Sequence, residues 1–163
     1  MTTLKSLLAL GLLSLIMLLG CSNHTQSDSE NNQIHEDIIA NDKTLPDHFH
    51  EIAFERYLIR KAVNESEFEQ TWNLYEFDKK IPKVDFKEKE VIFIGLHESS
   101  SCPYNNVDLS SDNKTMIVQL SGKGGESCTA DASPRTFVIQ IDQGITAQIE
   151  NVSFGETKVP LKK

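Results

Sequence analysis

The chain has 163 residues, of which 39% are hydrophobic and 25% charged, and a formal net charge of −8 with histidines neutral. That length holds one ordinary core with appendages and hardly two. Its 16 lysines and arginines are outnumbered by 24 acids and do not cluster, which leaves no basis for nucleic-acid binding, where phosphates demand massed cations.

Lys5 gives a positive start, Leu7 to Leu19 a nearly uncharged apolar run, and Gly20 a small residue, which is the order of a secretory signal peptide. The run falls short of the roughly 20 apolar residues of a permanent span. Leu18-Leu19-Gly20-Cys21 resembles the lipobox of bacterial lipoproteins. The resemblance implies removal of residues 1–20, a diacylglyceryl thioether on Cys21, and a domain outside the cytoplasm held to a cell or outer membrane. Two acyl chains supply the anchoring that one cannot. With Lys5 gone, 15 basic residues would face 24 acidic ones, a net charge of −9.

Residues 21–46 are expected to form the lipidated N-terminus and a flexible tether. Ser, Asn, Gln, Asp, Glu and His dominate from Ser22 onward, and Ile34, Ile38, Ile39 and Leu45 are too few to offset the entropy of ordering. Residues 47–163 are expected to make a single globular domain.

Ile52 to Val63 is rich in strand formers and is read as a strand. A helix follows, because Asn64 or Ser66 can cap a first turn made acidic by Glu65 and Glu67. Phe68, Trp72 and Tyr75 recur at helical spacing, so they form the buried stripe of a helix ending near Tyr75. Val91-Ile92-Phe93-Ile94-Gly95-Leu96 is an unbroken apolar run between Glu90 and His97, expected as a central strand buried on both faces. Val107 to Leu109 and Thr115 to Leu120 flank the turn-forming cluster Ser110-Ser111-Asp112-Asn113 and read as a hairpin. Phe137, Ile139 and Ile141 alternate in a further strand. Gln143-Gly144 then turns the chain into a last strand near Ile145 to Phe154. Short turns between successive strands imply antiparallel pairing. The fold class is therefore α+β: five or six antiparallel strands in a small barrel or sandwich, with one packed helix.

Cys102 and Cys128 are the two cysteines left in the domain, and an even pair outside the cytoplasm reads as a disulfide. Closing a loop of about 25 residues stabilises by about 3 kcal/mol in the chain-entropy account. The bridge would tie residues 98–106 to 122–134. The competing assignment, a Cys102 nucleophile with His97 as base, lacks an orienting third residue. His48-Phe49-His50 would set two imidazoles on one side of an extended segment, and two ligands do not make a site. No metal or cofactor is assigned. Asp85, Glu98, Asp108 and Asp131 form no acid–base spacing and read as solvated surface.

Residues 52–142 resemble the C-terminal domain family of PrcB, a subunit that stabilises a surface protease complex. The resemblance rests on the helix containing Trp72, on Val84-Asp85-Phe86 ahead of Val91-Ile92-Phe93-Ile94-Gly95, and on Ser133-Pro134 ahead of Phe137-Val138-Ile139. In place of that family's Gly-rich stretch before an aromatic residue stands Ser99-Ser100-Ser101-Cys102-Pro103-Tyr104. The resemblance implies an extracytoplasmic, noncatalytic accessory module that contacts another envelope protein, a protease among the candidates. Tyr104 is the expected aromatic anchor and Arg135 the expected charged contact on the braced loops. The alternative class is a small-ligand carrier or a hydrolytic enzyme.

Overall fold

The computed structural model describes residues 32–122, 124 and 127–161. The signal segment and Cys21 lie outside them. Among the described residues nine strands and two short helices follow one another in the order β1 (Asn32–Gln33), β2 (Glu36–Asp42), α1 (Phe49–Ile52), β3 (Tyr57–Ala62), α2 (Glu65–Leu74), β4 (Lys89–Glu98), β5 (Tyr104–Asp112), β6 (Thr115–Gly122), β7 (Ser133–Asp142), β8 (Asn151–Phe154) and β9 (Thr157–Pro160), with a 3-10 turn at Ile145–Ala147. They build a five-stranded sheet, β1-β5-β6-β8-β9, and a four-stranded sheet, β2-β7-β4-β3. The two sheets face each other and do not close into a barrel. The fold is an α+β sandwich, with α2 covering the outer face of the four-stranded sheet.

Period-two alternation divides β4 between two cores. Ile92, Ile94 and Leu96 point into the sandwich against Val107, Leu109, Met116 and Val118 of the other sheet. Val91 and Phe93 point the opposite way, into a second core with Phe68, Trp72 and Tyr75. Every residue from Val91 to Leu96 is buried, as a strand covered on both faces must be. β7 repeats the division, with Phe137, Ile139 and Ile141 inward and Val138 beneath the helix.

Helix α2 starts where its cap predicts. The Asn64 side chain accepts from the Glu67 amide at 2.9 Å, and the Glu67 carboxylate accepts from the Val63 amide at 3.0 Å, so two otherwise orphaned donors are satisfied reciprocally. Trp72 stacks on Phe77 with centroids 4.3 Å apart, and Tyr75 on Phe93 at 5.3 Å. The Tyr75 hydroxyl donates to the Leu58 carbonyl at 2.7 Å. Burial pushes that hydroxyl well above its ordinary pKa, so it remains a donor at any physiological pH. A Cβ at Gly95 would fall 2.7 Å from Leu45 Cδ2 and 2.8 Å from Tyr75 Cε1. Tyr75 is pinned by its hydrogen bond and cannot give way. Gly95→Ala is therefore expected to lower unfolding free energy by about 1–3 kcal/mol, as chemical denaturation would read.

The observed chain differs from the expected one in four places. The strand expected from Ile52 starts only at Tyr57, after the helical turn α1 and a bridge between Phe54 and Tyr57. Residues assigned to the tether enter the sheet: β2 pairs with β7 from Glu36↔Ile141 to Asp42↔Thr136, with a bulge between Ile38 and Ala40. Its backbone hydrogen bonds to β7 hold it despite a polar composition. The part of the expected tether before residue 32 lies outside the described residues. The expected last strand is instead a 3-10 turn followed by the β8–β9 hairpin, where Gly155 at φ +60° supplies the positive angle a tight two-residue turn needs. Finally, β8 runs parallel to β6, with Thr115↔Asn151 and Ile117↔Ser153 in register. The chain crosses to the other sheet through β7 before returning, so sequence neighbours here are not spatial neighbours.

Candidate functional site

The end of the sandwich where β4, β5 and β7 terminate is crossed by the loop 99–103 and the segment 127–132. Cys102 and Cys128 are joined by a disulfide with Cα atoms 5.6 Å apart. Alongside it the Thr129 amide donates to Ser101 Oγ at 2.9 Å, and Ser99 Oγ lies 3.0 Å from Thr129 Oγ1. The Ser100 amide meets both Asp131 carboxylate oxygens at 3.2 Å, and the Thr129 hydroxyl donates to the same carboxylate. Hydrogen bonds from Thr129, then Ser100, hold the Asp131 carboxyl below its ordinary pKa. It stays ionised as an acceptor through the physiological range.

Beneath this brace lies a buried ion pair. Arg135 Nε and Nη2 donate to Glu98 Oε1 at 2.9 and 2.7 Å, and the Tyr104 amide donates to Glu98 Oε2 at 2.8 Å. The Glu98 side chain is fully buried and that of Arg135 is 10% exposed. The guanidinium also sits 5.9 Å from the centroid of the Phe137 ring. Both charges share a strand parity with inward residues: Glu98 follows Ile92, Ile94 and Leu96, and Arg135 precedes Phe137, Ile139 and Ile141. They close the end of the apolar interior and fix the start of β5.

The two expected contact residues thus part company. Arg135 is not a surface contact, because its guanidinium neutralises Glu98 in the interior. Tyr104 is half-buried against the sandwich core and reaches the rim of the braced end, beside a shallow cleft shared with Ser99, Cys102, Gly122, Gly124 and Cys128. Glu98, expected on the solvated surface, is a buried anchor. Cys102, in a disulfide, has no thiolate to offer as a nucleophile. Sequence reasoning missed the ion pair and also the buried Glu90, whose carboxylate accepts from the Thr146 amide at 2.6 Å and its hydroxyl at 2.8 Å. The shared parity with apolar neighbours was the available signal in each case.

Of the three histidines considered for a metal, two meet. His50 lies on the helical turn α1, not on an extended segment, and its ring stacks on that of His97 with centroids 5.4 Å apart and planes within 8°. Phe49 packs edge-on against both. Among the described residues no group of three or more His, Cys, Asp or Glu side chains is arranged to hold a metal. Burial, and then the charge of His50, lower the His97 pKa from the ordinary 6.5. The unfolded chain therefore binds a proton at His97 at higher pH than the folded one does. The stability this group contributes is full above about pH 6.5 and is lost as pH falls through the lowered folded value. His97→Gln is expected to flatten that part of the stability–pH profile, as midpoints of thermal unfolding between pH 7 and pH 5 would record.

Losing the disulfide should have a distinct signature. Cys102→Ser with Cys128→Ser removes a cross-link spanning 26 residues, at a cost of about 3 kcal/mol. Exchange is expected to rise most at the Ser100 and Thr129 amides, beyond the general increase that lower global stability brings to β4 and β7; an equal rise at every amide would contradict a local brace.

No helix among the described residues is long and apolar enough to cross a membrane. Comparison of the chain with known protein families, with characterised proteins and with solved structures finds no match.

Proposed function

We propose that the protein is a lipid-anchored extracytoplasmic lipoprotein whose domain is a noncatalytic binding module for another envelope protein. The observation that carries the reading is the braced end. The disulfide, the hydroxyl network around Asp131 and the buried Glu98–Arg135 pair hold two loops in one arrangement before any partner arrives. Loops ordered in advance bind without the entropic cost of being ordered on contact. The carboxylates of Glu98 and Asp131, which a hydrolase could have used, are engaged in holding those loops. Tyr104 is the aromatic side chain at the rim and the anchor of choice. A protease-associated partner is the one that the PrcB resemblance implies, and Leu18-Leu19-Gly20-Cys21 supports attachment to the membrane.

The test is chemical crosslinking on intact cells that make the full chain, with mass spectrometry of the captured proteins. One dominant envelope protein is expected, diminished when Cys21→Ala detaches the chain and when Cys102→Ser and Cys128→Ser loosen the loops. Labelled palmitate should enter the wild-type chain and not the Cys21→Ala variant. Absence of label would remove the anchor, and capture unaffected by the loop variant would remove the braced end from the binding surface.

A further inference from the structure

Arg60 and Lys61 are adjacent on β3, so period-two alternation sends them to opposite faces of the sheet. Arg60 turns toward the helix side with Leu58 and Ala62, and Lys61 toward the sandwich side with Ile59. Because β3 is an edge strand, both side chains reach one groove of about 430 Å³, which they line with Val63 and with Glu67, Gln70 and Thr71 of α2. The groove lies at the Ala62↔Val91 end of the β3–β4 ladder, away from the disulfide and Glu98.

Both cations are half-buried. Partial burial strips hydration from a charge, and a counter-ion is the usual compensation. Among the described residues neither Arg60 nor Lys61 makes an ion pair, although the chain carries 24 acids. The two carboxylates that border them are committed elsewhere. Glu67, in the groove itself, accepts from the Val63 amide at 3.0 Å as half of the helix cap. Glu90 shares a neighbouring shallow cleft with Lys61, is 2% exposed, and its two oxygens accept from the Thr146 amide and hydroxyl. Arg60 donates to the Ile59 carbonyl at 3.4 Å, a long bond that occupies one of five guanidinium donors.

Donors therefore enter the groove from three sides: the guanidinium from the helix face of the strand, the ammonium from the other face, and the Thr71 hydroxyl from α2. A planar carboxylate is satisfied by one guanidinium fork, whereas a tetrahedral oxyanion presents oxygens to all three sides. Two cations also match the charge of about −2 that a phosphate monoester carries near pH 7. The groove is larger than a bare phosphate, and Val63, 38% exposed, offers an apolar wall for whatever the phosphate is attached to.

We propose that the groove between β3 and α2 is a binding site for a small phosphate monoester. Arg60 and Lys61 hold the phosphate, the Thr71 hydroxyl donates to it, and Val63 covers the attached organic group. The site is independent of the braced end and of a protein partner. Soluble esters and lipid headgroups share this chemistry, and the probes separate them.

The test is calorimetric titration of the full-length chain in neutral detergent with glycerol 3-phosphate, dihexanoyl phosphatidic acid, inorganic phosphate, and glycerate as the carboxylate counterpart. At least one of the two esters is expected to bind, with glycerate about tenfold weaker or more. Tighter binding of glycerol 3-phosphate identifies a soluble ester, and tighter binding of phosphatidic acid a headgroup. Arg60→Gln with Lys61→Gln should weaken the preferred ester by about tenfold or more while the thermal midpoint stays within a few degrees. Glu67→Gln keeps an acceptor for the cap and removes a negative charge, so it should strengthen binding about two- to threefold. The bound ester should shift amide resonances of residues 60–63 and 70–71 and leave those of 99–103 in place. Inorganic phosphate or glycerate binding as tightly as the esters, unchanged affinity in the Arg60→Gln, Lys61→Gln chain, resonance shifts confined to other residues, or no binding of either ester at millimolar concentration would each overturn the proposal.

Discussion

Replacing Arg135 by methionine is expected to destabilise the fold by about 3–5 kcal/mol, because it strands the Glu98 carboxylate in the interior without its counter-charge. The side chain of Glu98 has no exposure to water, and two guanidinium donors at 2.7 and 2.9 Å are its main compensation. The single Tyr104 amide at 2.8 Å would remain. Glu98→Gln should cost less than Arg135→Met, since a neutral amide can accept from Tyr104 and tolerate burial. The double variant Arg135→Met, Glu98→Leu should recover much of the loss, because an apolar pair of similar volume avoids burying any charge. Urea denaturation of the wild type, Arg135→Met, Glu98→Leu and the double variant completes the cycle. A loss below about 1 kcal/mol for Arg135→Met, the range of a surface pair, would mean that water reaches Glu98. The same variant also bears on function: Glu98 holds the first residue of β5, so the loop end should loosen even at temperatures where the sandwich stays folded.

Phe93→Ala should produce a loss of similar size by a different route. Phe93 is fully buried at the junction of sheet and helix, with its ring 5.3 Å from Tyr75 and 5.7 Å from Phe68. Truncation forfeits the transfer free energy and leaves a cavity that two pinned aromatics cannot fill, for about 3–5 kcal/mol. Phe93→Leu should lose roughly a third of that. Because α2 is attached mainly through this cluster, the alanine variant is expected to fray the helix first, visible as loss of helical circular dichroism before the strand signal changes. Simultaneous loss of both signals would show helix and sheet to be one cooperative unit.

These two sites mark the limits of what the sequence conveys. β4, β7 and α2 were legible because side-chain periodicity reports burial directly: Val91 to Leu96 could only be covered on both faces, and Phe68, Trp72 and Tyr75 only on one side of a helix. The Asn64 cap was legible because it is local chemistry. The disulfide followed from parity and compartment, since no other partner exists in the domain for Cys102 or Cys128. β2 was not legible, because it is held largely by backbone pairing to β7, and its Glu, Asp and Asn side chains carry no trace of that. The parallel β6–β8 pair depends on a crossover between sheets that no local pattern encodes. Arg135 was assigned to the surface on charge alone, although its alternation with Phe137, Ile139 and Ile141 pointed inward. Charge at an inward-facing position signals a buried partner of opposite sign, and Glu98 lies two residues beyond Leu96, the register partner of Arg135 on β4.

The loop end and the β3 edge adjoin. Tyr57 begins β3 and pairs with Leu96, two residues before Glu98, and its ring stacks on Phe154 at 3.9 Å. Burial raises the Tyr57 hydroxyl pKa, Arg56 opposes that rise, and the Tyr104 phenol adds to it, which places the two tyrosines in one electrostatic neighbourhood.

The most direct measurement is site-specific photocrosslinking in intact cells, with a photoreactive residue substituted for Tyr104 or for Gln119 on the exposed face of the five-stranded sheet. The account predicts a single envelope-protein adduct from the Tyr104 position, none from Gln119, and loss of that adduct when Cys21→Ala releases the chain from the membrane. Adducts equally strong from both positions, or none from Tyr104 in a lipidated and folded protein, would contradict a binding module built on the braced end.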